Sequence, residues 1–173
     1  MTRPEHLDLV VVAGSPGAGK STLCHELQLR WNIVPTIDLG DLRNFHLDSS
    51  WTNQSEKELA IAFDHLVYIV HSYAKHAWTP VLVTDLREAW VARVEEFFGD
   101  LRYVIVTLFA TNDAVAERVT RRDDGFKDVA AAVAWNRSVR RRPLLPNEVR
   151  VDSSGPVAQI ADHVELILSG RAG

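Results

Sequence analysis

The chain has 173 residues and a formal net charge of −4, a balance that argues against non-specific binding to nucleic acid. Its length and its 46% hydrophobic residues suit one globular domain over residues 1–173, with no repeat or linker to divide it. The sequence shows no transmembrane segment, no signal-peptide core and only one cysteine, Cys24. We therefore expect a cytoplasmic monomer or homodimer without a membrane partner, in which Cys24 is a packed side chain.

Strand and helix patterns alternate along the whole chain. Short, almost wholly apolar runs are typical of strands buried on both faces, and each is followed by a segment with helical periodicity. This alternation predicts right-handed β-α-β units and a parallel sheet covered by helices on both sides. The predicted strands are Leu7–Ala13, Ile33–Ile37, Val81–Asp85, Tyr103–Phe109 and Glu148–Asp152; the predicted helices are Lys20–Trp31, a short one near Asp41, one from the capping box Ser55–Glu58 to Trp78, then Glu88–Phe98, Asn112–Arg122, Asp128–Arg142 and Pro156–Ser169.

A phosphate-binding loop lies between the first predicted strand and the first predicted helix. Residues 14–22 read GSPGAGKST, which matches the pattern G-x-x-x-x-G-K-[ST]. Such a loop curls so that its N–H groups point at phosphate oxygens, and the helix that follows adds its positive dipole end. In this pattern Lys20 reaches the β- and γ-phosphates and the Ser21 hydroxyl is a Mg²⁺ ligand. The sequence thus predicts that ATP binds with Mg²⁺ through Gly14, Ser15, Pro16, Gly17, Ala18, Gly19, Lys20, Ser21 and Thr22.

The predicted strands end in polar residues that belong to one crevice. Ligands of such sheets bind at the carboxyl ends of the strands, where Asp38, Asp85 and Ser153 stand in this chain. A carboxylate at position 38, opposite the phosphate loop, can accept a proton from an attacking hydroxyl. The alternative is that Asp38 caps the next helix or forms an Asx turn, although Asp41 is the residue we expect to cap it.

The phosphate loop, the alternating pattern and the segment Ile37–Arg43 together resemble the small P-loop kinases of the nucleoside-monophosphate-kinase fold, over nearly the whole chain. The group includes shikimate, gluconate and adenylylsulfate kinases, polynucleotide kinases and chloramphenicol phosphotransferase. The segment IDLGDLR is similar to Asp-Gly-Asp-x-x-Arg of adenylylsulfate kinases and to Asp-x-x-Arg of polynucleotide kinases, but Gly40 stands where a second carboxylate is expected. The resemblance implies a three-layer α/β/α P-loop NTPase fold with a five-stranded parallel sheet and a small lid.

The resemblance also implies where the acceptor binds. Asp38 would meet the acceptor hydroxyl, and Arg43 would hold an acceptor phosphate or carboxylate unless it forms a surface ion pair. Asp85 resembles the aspartate of the second nucleotide-binding signature, which holds the Mg²⁺ shell, but in related kinases this position contacts the acceptor, and both roles stay open. Arg87 and Trp51 are further candidates for acceptor binding. The other tryptophans are interpreted as packing residues: Trp31, Trp78, Trp90 and Trp135.

A lid is predicted over residues 118–128. Lids in this family bring arginines onto the transferring phosphoryl group, and Arg118, Arg121 and Arg122 share one side of a predicted helix. The alternative is a solvated helix end whose charges complement the dipole. Arg118 is also expected to contact the nucleotide, together with Ser153, whose loop borders the adenine in the family. A second basic cluster is interpreted mainly as another helix end rather than a surface for a phosphorylated acceptor or nucleic acid: Arg137, Arg140, Arg141 and Arg142.

The resulting hypothesis is a kinase that moves the γ-phosphoryl group of ATP, with Mg²⁺, to a hydroxyl of a small-molecule acceptor. Its predicted catalytic residues are Lys20, Asp38, Arg118 and Arg122. Three alternatives stay open. The first is a nucleoside monophosphate kinase, in which Arg43 and Arg87 grip the acceptor phosphate. The others are a polynucleotide 5′-hydroxyl kinase, which the acidic net charge disfavours, and a non-catalytic nucleotide-binding regulator.

Overall fold

The fold is described from a computed structural model, which covers residues 3–32, 34–43, 56–123 and 125–170. Strands and helices alternate in it as the sequence predicts. The strands are β1 (Leu9–Gly14), β2 (Thr36–Asp38), β3 (Val81–Thr84), β4 (Tyr103–Phe109) and β5 (Glu148–Asp152); the helices of these residues are α1 (Lys20–Trp31), α2 (Leu39–Arg43), α3 (Glu56–Lys75), α4 (Glu88–Val91), α5 (Val94–Phe98), α6 (Asn112–Thr120), α7 (Val129–Arg141) and α8 (Val157–Gly170).

The five strands form one parallel sheet in the order β2-β3-β1-β4-β5. Strand β1 is central, and its Val10 stands level with Leu82 of β3 on one side and with Val104 of β4 on the other. Each parallel pair requires a crossover connection, and the helices supply it. The predicted α/β fold class is therefore confirmed.

Alternate residues of β1 point to the two faces of the sheet, and each face has its own core. Val10 and Val12 pack with Leu23 and Leu27 of α1 and with residues of α8. Leu9 and Val11 pack on the other face with Phe63 of α3 and with residues of α4 and α5. The molecule thus has three layers, and the strands are buried on both faces, as their apolar composition predicts.

Several element boundaries differ from the predictions. Strand β2 begins only at Thr36, because Pro35 has no N–H to donate to a ladder; its carbonyl still accepts from Leu82 N at 2.8 Å. Helix α3 ends at Lys75 instead of Trp78. Ala77 there takes a left-handed φ of 58°, and Trp78 N donates to Tyr73 O at 3.0 Å, which closes the last turn.

The single helix predicted over 88–98 is wrong. The chain forms α4 and α5 instead, because Arg93 leaves the helical conformation, with φ −106° and ψ 8°. Gly99, the residue after α5, has a right-handed conformation with φ −65°, so α5 does not end in a left-handed glycine. Helix α6 ends at Thr120, two residues before its predicted end, which lengthens the connection from α6 to α7.

Within the described residues, no helix is long and apolar enough to span a membrane. Cys24 is buried, as expected, and burial raises the pKa of its thiol to about 12. The expected cellular location and oligomeric state stay predictions.

Gly14 offers a direct test of how the sheet shapes the phosphate loop. Its φ is 132°, and a Cβ would stand 2.4 Å from the carbonyl oxygen of Leu108 in β4. Neither backbone can yield without breaking the pairing of β1 with β4, so we expect Gly14→Ala to lower the free energy of unfolding by roughly 2–4 kcal/mol. Urea denaturation measures this change. The matched control is Gly155→Ala, whose Cβ would find its nearest neighbour at 4.0 Å; equal stability losses in the two variants would contradict the explanation.

Candidate functional site

A cavity of about 900 Å³ opens at the carboxyl ends of β1, β2 and β3. It has the size and position that ligand sites of parallel sheets have. The start of α1 forms one wall, α2 and the segment after β3 form the second, and the connection from α6 to α7 covers the third. Its lining includes most of the residues predicted from the sequence: Pro16, Gly17, Gly19, Lys20, Ser21, Thr22, Asp38, Arg43, Asp85, Arg87 and Arg122.

The loop between β1 and α1 has the geometry of an anion cradle. Gly17 and Gly19 have φ of 81° and 93°, and a Cβ on Gly17 would stand 2.9 Å from the Val119 side chain. The Ser15 hydroxyl is buried and has no hydrogen-bond partner among the described residues. A loop with positive-φ glycines, an unsatisfied hydroxyl and a helix start fits the phosphates of a nucleotide.

Lys20 brings a positive charge inside this loop. Its side chain is buried, and Nζ lies 3.4 Å from the Ser15 carbonyl oxygen and 4.0 Å from Asp85 Oδ1. Burial lowers the pKa of Lys20, and the nearby charge of Asp85 opposes that shift. Both contacts are long for an ammonium group, so an anionic ligand would improve the electrostatic environment of Lys20.

Asp38 caps α2. It directly precedes the helix, and its Oδ1 accepts a hydrogen bond from Gly40 N at 2.8 Å. The expectation that Asp41 caps this helix is wrong, because Asp41 lies in the first turn and is exposed. Capping does not remove Asp38 from the cavity wall, since a carboxylate has two oxygens and several acceptor positions.

The second carboxylate of the site comes from β3 rather than from position 40. A Cβ at Gly40 would stand 2.9 Å from Asp38 Oδ1 and 3.5 Å from Asp85 Oδ2. A side chain at position 40 would thus crowd Asp38 Oδ1, while it would lie in ordinary contact with Asp85. Burial raises the pKa of Asp38, and the negative charge of Asp85 raises it further.

Two arginines add positive charge on the side of the cavity away from the phosphate loop. Arg43 ends α2, and Arg87 directly precedes α4. Burial lowers the pKa of Arg87, and the like charge of Arg43 lowers it further, while the negative charges of Asp85 and Glu56 oppose the shift. Guanidinium groups are well suited to bind a carboxylate or a phosphate.

Arg118 is held by backbone carbonyls. Its Nη1 donates to Gly17 O at 3.3 Å and its Nη2 to Ser153 O at 2.9 Å. Ser153 is itself fixed, since both its N and its hydroxyl donate to Phe109 O. Arg118 therefore ties the phosphate loop to the loop after β5, and the two residues predicted to border the nucleotide are brought together.

The connection from α6 to α7 separates the three predicted lid arginines. Arg122 lines the cavity with Gly125, Phe126 and Lys127. Arg121 faces solvent instead and pairs with Glu117 at 2.6 Å, its side chain being 77% exposed. Of the three, Arg122 is thus the one placed over the cavity. Asp124 of this connection and Trp51 both lie outside the described residues.

Sequence reasoning missed a polar network in the cavity wall. Trp135 of α7 lines the cavity and its Nε1 donates to Glu88 Oε2 at 2.9 Å, although it was interpreted as a packing residue. Arg142 binds Glu88 with Nε and Glu148 with its terminal nitrogens, so it does not belong to an exposed basic surface. The helical periodicity around position 135 could not predict the contact of Trp135 with Glu88, because Glu88 belongs to another helix.

The interaction between the carboxylates of Asp38 and Asp85 can be tested by a pH titration. In a ¹³C NMR titration, the Asp38 carboxyl group should titrate at a higher pH than an aspartate in a short unstructured peptide, because burial and Asp85 disfavour its charged form. Asp85→Asn removes the like charge, so the pKa of Asp38 should fall. An unchanged pKa in that variant would show that the two carboxylates do not interact. Asp41→Asn serves as the control and should lower the pKa of Asp38 less, since the Asp41 charge affects it less.

Comparison with known proteins is informative at the level of structure alone. No family model matches the chain, and no curated protein matches it in sequence. Among solved structures, a sugar kinase from Janibacter sp. HTCC2649 superposes with a TM-score of 0.69 at 15% identity, covering 93% of this chain and 94% of that one. A gluconokinase from Sinorhizobium meliloti 1021 superposes with a TM-score of 0.67 at 20% identity, covering 94% of this chain and 92% of that one.

A shikimate kinase from Acinetobacter baumannii in complex with shikimate gives a TM-score of 0.65 at 20% identity, covering 98% of this chain and 97% of that one. These superpositions extend over nearly the full length of each partner. The resemblance inferred from the sequence is confirmed for the architecture: the chain has the fold of the P-loop kinases.

Proposed function

We propose that the protein is a Mg²⁺- and ATP-dependent kinase that phosphorylates a hydroxyl group of a small-molecule acceptor. One observation carries the proposal. The phosphate loop with its buried Lys20 and the carboxylates of Asp38 and Asp85 line a single cavity, and Lys20 Nζ lies 4.0 Å from Asp85 Oδ1. Small-molecule kinases among the structural neighbours are consistent with it.

On the nucleotide side, the residues are suited to hold a charged triphosphate. The loop N–H groups and the Lys20 ammonium would bind its phosphate oxygens, and the tie from Arg118 to Gly17 O keeps the loop in shape. Ser21 and Asp85 are the residues that would hold Mg²⁺, which supplies positive charge for the phosphate oxygens during transfer. Lys20 and Arg122 would add to the same neutralisation from opposite walls of the cavity.

On the acceptor side, Asp38 is the proposed general base. Its raised pKa makes the ionised carboxylate a stronger base than an exposed aspartate, so it removes a hydroxyl proton more readily. The hydrogen bond from Gly40 N holds one carboxylate oxygen in place. Arg43 and Arg87 would orient an acceptor that carries a negative charge.

The same two arginines keep one alternative open, a nucleoside monophosphate kinase whose acceptor is a phosphate. The polynucleotide kinase alternative is weaker, since Arg142 of the second basic cluster is engaged by Glu88 and Glu148. A regulator that binds nucleotide without transfer would share the phosphate loop but would need no general base.

Lys20→Ala tests the nucleotide site. Because the variant loses the buried charge that faces the phosphates, we expect a fall of about a hundredfold or more in MgATP turnover. The assay follows ADP release and product formation with gluconate, shikimate, nucleosides, nucleoside monophosphates and a 5′-hydroxyl oligonucleotide as acceptors. Lys57→Ala, on the exposed side of α3, is the control and should keep full turnover. Phosphorylation of a nucleoside monophosphate alone would favour the alternative, and MgATP binding without any transfer would favour the regulator.

Arg122→Ala tests the connection between α6 and α7. Since Arg122 lines the cavity, its removal should lower kcat by about tenfold or more and leave MgATP affinity within a few-fold. Arg121→Ala is the matched control, because Arg121 carries the same charge one residue earlier but pairs with Glu117 in solvent. Normal turnover in both variants would show that Arg122 takes no part in the transfer.

A further inference from the structure

The indole of Trp135 is a flat apolar surface in a cavity that is lined by charged side chains and also by Leu39, Leu59 and Phe126. It is half-buried in α7 and lines the cavity next to the segment Arg87–Ala89, on the acceptor side. Its single polar atom, Nε1, is already used by Glu88. A ligand can therefore contact only the apolar ring surface of Trp135.

Glu88 fixes the plane of that ring. Besides accepting from Trp135 with Oε2, it accepts from Arg142 Nε with Oε1, so both carboxylate oxygens are engaged. Arg142 is anchored in turn by Glu148, with contacts of 2.6 and 2.7 Å. A carboxylate held by such a chain cannot rotate without breaking several charge-assisted hydrogen bonds.

This series of hydrogen bonds, from Trp135 through Glu88 and Arg142, ends at Glu148 in the sheet. Glu148 begins β5, is fully buried at its side chain, and also accepts from Thr107 of β4 at 2.5 Å. Burial opposes its ionisation, but the hydrogen bonds from Arg142, Leu145 N and Thr107 outweigh that effect and lower the pKa of Glu148. The indole is thus connected, through Glu88, Arg142 and Glu148, to strands β4 and β5 of the sheet.

A second anchor holds the backbone next to Trp135. Asn136 is fully buried, its Nδ2 donates to Ala110 O at 2.8 Å, and its Oδ1 accepts from Ala110 N. This pair joins the middle of α7 to the end of β4. Both the main chain and the ring of position 135 are therefore set before any ligand arrives, which reduces the entropic cost of binding to it.

We propose that Trp135 is an acceptor-contacting residue that selects cyclic acceptors, whose ring packs on the indole, and that Glu88 is the residue that positions it. The inference rests on the proposed function and adds the class of acceptor. A cyclic compound carrying a hydroxyl would place its ring against Trp135 and its hydroxyl toward Asp38. A negatively charged substituent would be oriented by Arg43 and Arg87.

The experiment compares cyclic and open-chain acceptors that have similar hydroxyl groups. Shikimate is paired with D-gluconate, and myo-inositol with D-glucitol. Their MgATP-dependent phosphorylation is measured as kcat and KM, and the indole N–H signal of Trp135 is followed by ¹⁵N NMR. We expect the cyclic member of a pair to have the higher kcat/KM and to shift the Trp135 signal. Open-chain members with equal or higher kcat/KM, or cyclic members that leave the signal in place, would overturn the inference.

Variants separate contact from mere packing. In Trp135→Leu the KM of the cyclic acceptor should rise about tenfold while kcat changes little, because a contact made equally in ground and transition states is lost. Trp135→Phe keeps an aromatic face and should raise KM less. Trp78→Phe changes a tryptophan that is 48% exposed and does not line this cavity, so it should have no effect.

The positioning role of Glu88 predicts non-additivity. Glu88→Gln should shift the Trp135 indole signal and raise KM, but the double variant with Trp135→Phe should be no worse than Trp135→Phe alone, since Phe has no N–H to position. Additive losses would assign Glu88 a separate role and overturn this part. Should Trp135→Leu unfold, the wild-type NMR titration and Trp135→Phe still decide the matter. Transfer that depends on Lys20 but not on Trp135 would leave the proposed function standing and reject only the acceptor class.

Discussion

Strand β1 pairs in parallel with β3 on one side and β4 on the other, so the loop that leaves it emerges where β2 and β3 also end. Lys20, Asp38 and Asp85 are far apart in sequence and meet in one cavity for this reason. The same pairing brings the Leu108 carbonyl of β4 against Gly14, where no side chain fits. The shape of the phosphate loop is therefore a consequence of the sheet as much as of its own glycines.

The cavity brings charges of both signs together. The buried ammonium of Lys20 lies near two carboxylates, and the charge of Asp85 adds to the effect of burial in raising the pKa of Asp38. Such an arrangement costs stability in the folded protein, because each charge is partly desolvated and none is ideally paired. It is tolerated at sites that bind charged ligands, where the ligand completes the electrostatics. The raised pKa of Asp38 and the long contacts of Lys20 both result from this incomplete pairing of charges.

The network of Glu88, Arg142 and Glu148 has a different character. Its hydrogen bonds are short and numerous, and one of its carboxylates is fully buried. Removing Arg142 would leave the buried carboxylate of Glu148 without its charged partner, which is far more costly than the pair itself is stabilising. The network joins α4, α7 and β5 at one side of the cavity. It therefore fixes the geometry of one wall of the cavity.

The sequence by itself determined the alternation of strands and helices, the parallel sheet, and the loop at residues 14–22, because these depend on periodicity and on local backbone requirements. Boundaries were right where a local signal was strong, as at Lys20–Trp31, and wrong where the backbone departed from helix without a proline or a positive-φ glycine, as at Arg93. Only the tertiary structure decided which polar residues act together. It places Asp85 near Asp38, whereas the sequence has Gly40 in place of a second carboxylate. It also shows that Arg118 joins two loops and that Arg121 pairs with Glu117 in solvent, away from the cavity that Arg122 lines. Trp135 and Glu88, 47 positions apart, have no common signal in the sequence, since their contact exists only once α7 packs beside α4.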